Sequence, residues 1–248
     1  MDPVCKPEEL LIHTISRLLD GVDHVAVGMA SPIPGSGALL RRSLSGGATR
    51  VSILQMQDPP AFTDGGSEVF DMAGQGRIGA FFLSGGQIDG AGNVNLVGIG
   101  DYPTSKVRWS GSFGSGYLYF IIPRVILFRW EHTRRTMVER VDFVSAPGTS
   151  DPGLHRPGGP YALITNLCLF LFDREAGRFR LESLHPGVSL EEVRDNTGFD
   201  FDIAPALGET EQPSADILAT IRGQVAPEIA TVYPKFAESV FQITADAA

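Results

Sequence analysis

Apolar residues in the first third of the chain follow two patterns, a helical spacing and short continuous runs. Leucine and isoleucine recur at helical spacing between Pro7 and Gly21, which predicts a helix. Three apolar runs predict strands, at residues 23–30, 50–55 and 78–83. Between them, the Pro/Gly-rich segment 31–37 predicts a loop, and helices are predicted at 38–44 and from Ser67 as N-cap. This order of elements predicts an α/β fold with an open, mostly parallel sheet flanked by helices.

The second half of the chain is richer in strand patterns. Strands are predicted at residues 106–109, 125–130, 141–145, 161–165, 168–172 and 179–184. The loop 146–160 is a lid candidate, Ser189 and Glu192 match a capping box, and 213–223 predicts a helix. Because there is neither an internal repeat nor a clear linker, residues 1–248 are predicted to form a single domain. A C-terminal arm from about residue 224 is a candidate contact with a partner.

Composition narrows the class of partner and compartment. A net charge of −9 argues against a nucleic acid or a membrane surface as the main partner. Cys5 and Cys168 make neither a disulfide framework nor a zinc site, and the five histidines lack metal-binding spacing, so no metal is predicted. The apolar run 117–128 is broken and too short to span a bilayer, and the N-terminus lacks a signal-peptide pattern. We therefore expect a cytoplasmic protein.

Two glycine-rich segments are candidate ligand loops. Ser84–Tyr102 contains six glycines after a predicted strand, and a second loop runs from Gly111 to Gly116. Such a backbone can approach a ligand closely, although a tight turn between strands explains the first segment equally well. Neither loop matches a Walker or dinucleotide pattern, so a nucleotide cofactor is not expected. The loops after Gly28, Gln55 and Leu83 follow the carboxyl ends of predicted strands, where α/β sheets bind ligands.

The run Arg129–Arg140 is the one basic concentration in an acidic chain. Its favoured interpretation is a solvated surface with internal ion pairs. A phosphate or carboxylate contact, or a subunit interface, are the functional alternatives.

The ordered motifs resemble a known family. The segment S-G-G-Q-I-D-G-A-G-N-V-N, followed by I-G-D-Y, resembles the β subunit of glutaconate-type, family I CoA-transferases. Further matches follow in order: G-S-x-G at Gly111, E-H-x-x-R-R at Glu131, V-D-F-V-S-A-P-G at Val141, L-H-P-G-V at Leu184 and N-T-G-F at Asn196. The resemblance spans roughly residues 22–203. It implies the CoA-transferase-like fold, an α-subunit partner in a heterodimer or heterotetramer, and an active site between the two chains.

The resemblance also implies a chemistry. In this family a β-subunit glutamate attacks an acyl-CoA thioester, with coenzyme A entering as part of the substrate and no permanently bound cofactor. Main-chain donors for the tetrahedral intermediates are implied at Gly28, Met29 and Gly114. Substrate or CoA contacts are implied in the two glycine loops, at Ser84, Gly85, Gly86, Gln87, Gly111, Ser112 and Phe113.

The sequence departs from the family at the nucleophile. Where relatives read V-E-S-G or S-E-N-G, this chain reads L-Q-M-Q, which puts Gln55 at the glutamate position. A neutral amide is a poor nucleophile, and the nearest carboxylate, Asp58, precedes two prolines and is expected to point elsewhere. Phe113 replaces a glycine usual in the family, which is expected to reshape the pocket.

One branch of the family accommodates a missing glutamate. Its steroid-ring-opening acyl-CoA hydrolases lack the β-subunit glutamate and draw a catalytic carboxylate from the α chain as general base. We therefore favour hydrolytic or C–C-cleaving catabolic chemistry over CoA transfer. A true CoA-transferase, a non-catalytic substrate-binding or scaffold subunit and a ligand sensor are the alternatives.

Overall fold

The computed structural model describes residues 4–56 and 60–243. The chain divides into two compact units, one formed by Phe81 and the residues before it together with the residues from Glu211 on, the other by Phe82–Thr210. We describe each unit by itself. The interpretation of the chain as a single domain stays a prediction.

The first unit begins with alternating helices and strands. Its elements are α1 (Pro7–Leu18), β1 (His24–Val27), α2 (Pro32–Leu44), β2 (Arg50–Ile53), α3 (Gly65–Gly74) and the first two residues of β3 (Ala80–Leu83), whose last two residues belong to the second unit. The central strand β1 is buried throughout and pairs in parallel with β2 and with β3. Because Val27 is level with Ile53, the carboxyl ends of β1 and β2 lie side by side.

Helix α2 begins earlier than predicted, so the expected loop 31–37 is wrong. Pro32 occupies the first helical position, where a residue without an N–H costs no hydrogen bond. At Gly37 an added Cβ would lie 2.4 Å from the Ile15 side chain, so glycine permits close packing of α1 and α2. Tertiary packing therefore overrides the low helix propensity of this segment.

Ser67 is not the N-cap of α3, which begins at Gly65. The Glu68 carboxylate accepts a hydrogen bond from the Thr63 hydroxyl (2.8 Å) and bonds from the N–H groups of Thr63 and Asp64. These bonds hold the pKa of Glu68 below its usual value. An acidic side chain near the start of α3 thus fixes the residues that precede the helix, where a negative charge is also favoured by the helix dipole.

The second unit contains three sets of strands and two helices. Its elements are β4 (Gln87–Ile88), β5 (Val94–Asn95), β6 (Gly98–Ile99), β7 (Val107–Arg108), α4 (Ser115–Ile121), β8 (Arg124–Phe128), β9 (Pro160–Ile164), β10 (Cys168–Asp173), β11 (Arg178–Leu184), α5 (Leu190–Asn196) and β12 (Asp202–Glu209). Five strands are ordered β12-β11-β10-β9-β8, and β4/β5 and β6/β7 form separate antiparallel pairs. β8 and β9, and β11 and β12, are parallel, whereas β9, β10 and β11 are antiparallel neighbours. With the parallel pairs of β1, this confirms the α/β class with a mostly parallel sheet.

An aromatic cluster forms part of the core of the second unit. Phe170 is fully buried, with its ring centroid 5.1 Å from that of Phe201 and 6.0 Å from that of Phe179. The prediction of Ser189 as N-cap of α5 is confirmed, because its hydroxyl accepts a hydrogen bond from Glu192 N (3.1 Å).

Three expectations for the second unit were wrong or incomplete. Residues 141–145 form no strand, and an isolated antiparallel bridge joins the next residue, Ala146, to Val94. Ser145 Oγ also donates to Val94 O and accepts from Leu96 N. The pattern missed β12, an edge strand that tolerates Pro205 and is mostly exposed. It also missed α4, a seven-residue helix that overlaps the start of the apolar run 117–128.

The C-terminal segment of the first unit is helical. It contains α6 (Ala215–Thr220), a π-helical turn (Ile221–Val225), α7 (Ala226–Val232) and α8 (Pro234–Phe241). Glu228 pairs with Arg42 of α2, and Arg222 pairs with Glu9 of α1 (2.6 Å). The arm beyond residue 224 thus packs against its own unit, and its contact with a partner stays a prediction. Within the described residues, no helix combines the length and apolarity needed to cross a membrane.

Candidate active site

The turns after β1 and β2 bring two of the predicted site segments together within the first unit. Leu54 N donates to Val27 O (2.9 Å), so the two strands stay paired up to their carboxyl ends. Just beyond, Gln55 Oε1 accepts a hydrogen bond from Ala30 N at 3.2 Å. The turns that follow Gly28 and Gln55 are therefore adjacent. That these two loops and the loop after Leu83 form one shared site stays a prediction.

Gln55 is half-buried at this turn, and its side-chain oxygen is an acceptor. Its amide carries no charge, so it can accept from an N–H group but is a weak nucleophile towards a carbonyl carbon. Ala30, which sequence reasoning missed, supplies that N–H from a backbone with φ of 52°. A positive φ at alanine leaves no signal in the sequence. Asp58, the nearest carboxylate along the chain, lies outside the described residues.

Two of the three predicted main-chain donors, Gly28 and Met29, lie in the same turn as Ala30. Met29 has an exposed side chain, and its carbonyl oxygen accepts a hydrogen bond from Ser31 Oγ (3.0 Å). Ser31 N donates to the Tyr233 hydroxyl (3.3 Å), which ties the turn to the C-terminal helices of the same unit. The turn around Gly28 and Met29 is thus held in shape by side chains, and the donor role of their N–H groups stays a prediction.

In the second unit, the first glycine loop packs against a tryptophan. An added Cβ at Gly86 would lie 2.1–2.4 Å from three ring atoms of Trp109. At Gly85 it would lie 2.7 Å from the Val94 side chain. Both glycines are therefore needed for a close approach, which here is to the protein itself.

The polar residues of the same motif form an internal framework. Gln87 Oε1 accepts hydrogen bonds from Asn95 Nδ2 (2.7 Å) and Asp142 N (2.9 Å), and Gln87 is buried. The carboxylate of Asp89, also buried, accepts bonds from the N–H groups of Ala91, Asn93 and Val141. These side chains order the loop, and a ligand contact by Gln87 stays a prediction.

An open cavity of about 420 Å³ lies beside this loop. Its lining includes Ser84, Gly86, Trp109, Arg129, Glu131 and Arg135. It therefore combines a hydroxyl, an indole ring and three charged groups, and its lining contains three of the four predicted contact residues of the first loop, Ser84, Gly85 and Gly86.

The second glycine loop has an unusual backbone. Gly111 and Gly114 have φ of 104° and 68°, and Phe113 between them has φ of 38°. Ser115 N donates to Ser112 O (2.8 Å), which closes the turn. The Phe113 side chain is 74% exposed, so a bulky apolar group occupies a conformation that favours glycine. The predicted roles of these residues in binding stay predictions.

The basic run combines ion pairs with a cavity wall. Glu131 lies 3.1 Å from Arg135 Nη2 and 3.9 Å from Arg129 Nη2. Arg134 instead donates to the main-chain oxygens of Asp195 and Arg194. The ion pairs within the run agree with its interpretation as a solvated surface with internal ion pairs. Arg129 and Arg135, however, also line the cavity.

Buried histidine and cysteine side chains in the second unit belong to its core. His132 bonds to the hydroxyls of Thr165 and Thr197 (both 2.9 Å), and burial lowers its pKa to about 4. Burial raises the pKa of the nearby Cys168 thiol to about 12, so it is not activated as a nucleophile. In the described part of the chain, no group of three acidic, histidine or cysteine side chains is placed to hold a metal ion.

Comparison with known proteins identifies the family. The chain matches the coenzyme A transferase family model over residues 9–196, and it belongs to this family. It is 36% identical over 153 residues to the B subunit of glutaconate CoA-transferase from Acidaminococcus fermentans, covering 59% of this chain and 56% of that one. It is 32% identical to the B subunit of 3-oxoadipate CoA-transferase from Pseudomonas knackmussii, covering 84% and 80% of the two chains. It is 30% identical to the cholesterol ring-cleaving hydrolase IpdB subunit of Rhodococcus jostii, covering 64% of each.

Solved structures agree with this family. The glutaconate coenzyme A-transferase of Acidaminococcus fermentans superimposes with a TM-score of 0.78 at 25% identity, over 92% of this chain and 97% of that one. IpdAB of Rhodococcus jostii superimposes with a TM-score of 0.76 at 25% identity, over 89% and 94%. The predicted CoA-transferase-like fold is therefore confirmed.

Proposed function

We propose that this chain is the β-type subunit of a two-chain enzyme that acts on an acyl-CoA thioester, and that it favours hydrolysis or C–C cleavage over CoA transfer. The observation that carries the proposal is Gln55. Its neutral amide lies in the turn just after β2 and accepts a hydrogen bond from Ala30 N, at the position that the family resemblance gives to a nucleophilic glutamate. The partner would be an α-type subunit, as in the relatives that are named as B subunits. Coenzyme A would enter as part of the substrate, in the cytoplasm.

The division of work between the chains follows from this chemistry. An amide cannot form the acyl anhydride that CoA transfer requires, so water would have to attack the acyl group or the ring carbonyl directly. That attack needs a general base, which this proposal assigns to a carboxylate of the partner. The turn around Gly28 and Met29 and the loop around Gly114 would supply main-chain donors, and the glycine loops would contact the substrate.

Restoring the carboxylate provides the direct test. In Gln55→Glu, a carboxylate oxygen would attack the thioester carbonyl, the C–S bond would break and CoA thiolate would leave. The thiolate would then attack the glutamyl carbonyl and release the acyl group as its acid, leaving a glutamyl-CoA thioester on the protein. Intact-mass spectrometry of the assembled complex after incubation with acyl-CoA should show an added CoA, less one water.

The matched control is Gln212→Glu, which places the same charge change on an exposed residue. It should give no adduct. An unchanged mass for Gln55→Glu, in a complex that still binds acyl-CoA, would contradict the assignment of Gln55 to the nucleophile position.

True CoA transfer is the second candidate, because the curated relatives with the higher identities are CoA-transferase subunits. Ping-pong exchange of CoA between two acids by the unmodified complex would establish it and refute the hydrolytic preference. Kinetics of alanine variants distinguishes a scaffold role from a catalytic one. If this chain is a scaffold, alanine at Gln55 or at Ser84 should mainly raise KM or weaken assembly, whereas loss of a catalytic contribution should lower kcat. Any turnover by the complex would remove the sensor alternative.

A further inference from the structure

The cavity beside the first glycine loop combines positive charge with an aromatic surface. Arg129 and Arg135 contribute two positive charges to its wall and Glu131 one negative charge, in a chain whose net charge is −9. A local excess of positive charge in a concave site attracts anions. The volume of about 420 Å³ is sufficient for a small-molecule group.

The ion pairs leave guanidinium donors for another acceptor. A guanidinium has five N–H donors, and the contacts with Glu131 join its carboxylate to Nη2 of each arginine. Arg129 Nε is buried, and among the described residues it has no hydrogen-bond acceptor. A buried donor without an acceptor is destabilising, and a ligand oxygen would remove that cost.

The remaining lining suits the body of such a ligand. Trp109 packs its ring on Gly86 and lines the same cavity, together with the apolar side chains of Leu96 and Ile99. The exposed Ser84 adds a hydroxyl. The cavity thus has a basic side and an apolar, aromatic side.

We propose that Arg129 and Arg135 form an oxyanion site, which holds an acidic group of the ligand while its less polar part packs against Trp109. The acidic group is a carboxylate at the far end of the acyl chain or a phosphate of coenzyme A, which share the same recognition chemistry. This assignment of the bound group rests on the proposed function, whereas binding of an oxyanion can be measured without turnover.

The binding test uses the full chain at constant ionic strength. In a Trp130→Phe background, the fluorescence of Trp109 is titrated with inorganic pyrophosphate and, separately, with adipate, and calorimetry on the unmodified chain checks both titrations. Saturable binding of one anion or both is expected, and the preferred anion identifies the source of the group. Arg129→Gln and Arg135→Gln should each weaken binding about ten-fold or more, the usual scale for a hydrogen bond to a charged group.

Two further variants separate recognition from charge alone. Arg129→Lys keeps the charge but loses the planar fork of donors, so it should bind less tightly than the unmodified chain and more tightly than Arg129→Gln. Arg140→Gln removes one positive charge from the same basic run at an exposed residue outside the cavity lining, so binding should not change. Equal losses in Arg140→Gln and Arg135→Gln would mean general charge attraction and would overturn the site.

Kinetics of the assembled complex connects the site with the substrate. Arg135→Gln should raise KM for acyl-CoA about ten-fold while changing kcat less. Flat titrations together with loss of assembly in Arg135→Gln would show a subunit interface and refute the proposal. Anion binding by a complex that shows no turnover would support the oxyanion site and refute the proposed function.

Discussion

Two regions of this protein use similar polar side chains for different purposes. Gln87 and Asp89 are buried and form hydrogen bonds with neighbouring main-chain N–H groups. Gln55 is only half-buried and accepts one hydrogen bond, from Ala30 N. The motif that marks the family most clearly therefore orders the framework, whereas packing constrains Gln55, on which the proposed reaction depends, less than it constrains Gln87 and Asp89.

This difference explains why family membership does not decide the reaction. A change in the framework would leave buried polar groups without partners, which costs stability in any member of the family. A change at Gln55 affects one hydrogen bond and leaves the fold intact. The reaction can therefore diverge while the motif persists, and the names of the relatives include both transferases and a hydrolase.

The largest expected effect on stability tests the framework. Asp89→Ala removes the acceptor for the N–H groups of Ala91 and Asn93 in a buried loop. We expect the free energy of unfolding to fall by about 4 kcal/mol, because several main-chain N–H groups lose a charged acceptor, at about 1–3 kcal/mol for each buried donor left unpaired. Urea denaturation of the full chain measures this loss.

Asp101→Ala provides the control, because that side chain is exposed. Its effect should stay within about 0.5 kcal/mol. Similar losses for the two variants would mean that Asp89 is not part of a supporting framework.

A pH-dependent effect of intermediate size tests the buried polar core of the same unit. Burial lowers the pKa of His132 from its usual 6.5 to about 4, so between these values the unfolded chain binds the extra proton. Stability should therefore rise with pH across this window and be complete above about pH 6.5. The difference in the pKa of His132 between the unfolded and the folded chain corresponds to about 3 kcal/mol of unfolding free energy. This contribution is lost as the pH falls towards 4.

The His132→Gln variant isolates this contribution from that of other buried histidines. The difference in unfolding free energy between it and the unmodified chain should shrink as the pH falls from 7 to 4. His155→Gln, at an exposed residue, controls for the loss of an imidazole. A difference that stays constant with pH would contradict the neutral, buried state of His132.

The smallest expected effect on stability belongs to Gln55. Gln55→Ala removes a half-buried hydrogen bond to Ala30 and should cost about 0.5–1 kcal/mol. Its kcat in the assembled complex should nevertheless fall, if the turn acts on the substrate. Gln212→Ala at an exposed residue should change neither quantity. A stability loss as large as that of Asp89→Ala would remove the contrast between the two regions.

Patterns along the chain predicted the elements that follow from local spacing. Helix α1 and strands β9, β10 and β11 lie close to their expected positions because buried apolar residues recur regularly there. The start of α2 at Pro32 was not predictable, because Gly37 of this helix is accommodated by its packing against Ile15, which lies far away in the sequence. Strand β12 was missed because an exposed edge strand carries little hydrophobic alternation.

The candidate site likewise has features that the sequence predicted and features that only the structure showed. The ordered motifs pointed to Gln55 and the glycine loops, since residue identity carries that information. The sequence did not reveal that Arg129 and Arg135 share a cavity with Trp109, or that Ala30 N donates to Gln55.

Residue identity and spacing were sufficient to establish the family, the class of fold and the absence of a glutamate at position 55. The folded chain was needed to distinguish the motif residues that are buried supports from the groups that line a cavity. Hydrogen bonds join residues as far apart along the chain as Glu9 and Arg222, which are separated by 213 positions, and the cavity wall also brings distant residues together. Such contacts arise from the packing of whole elements, which local patterns do not encode.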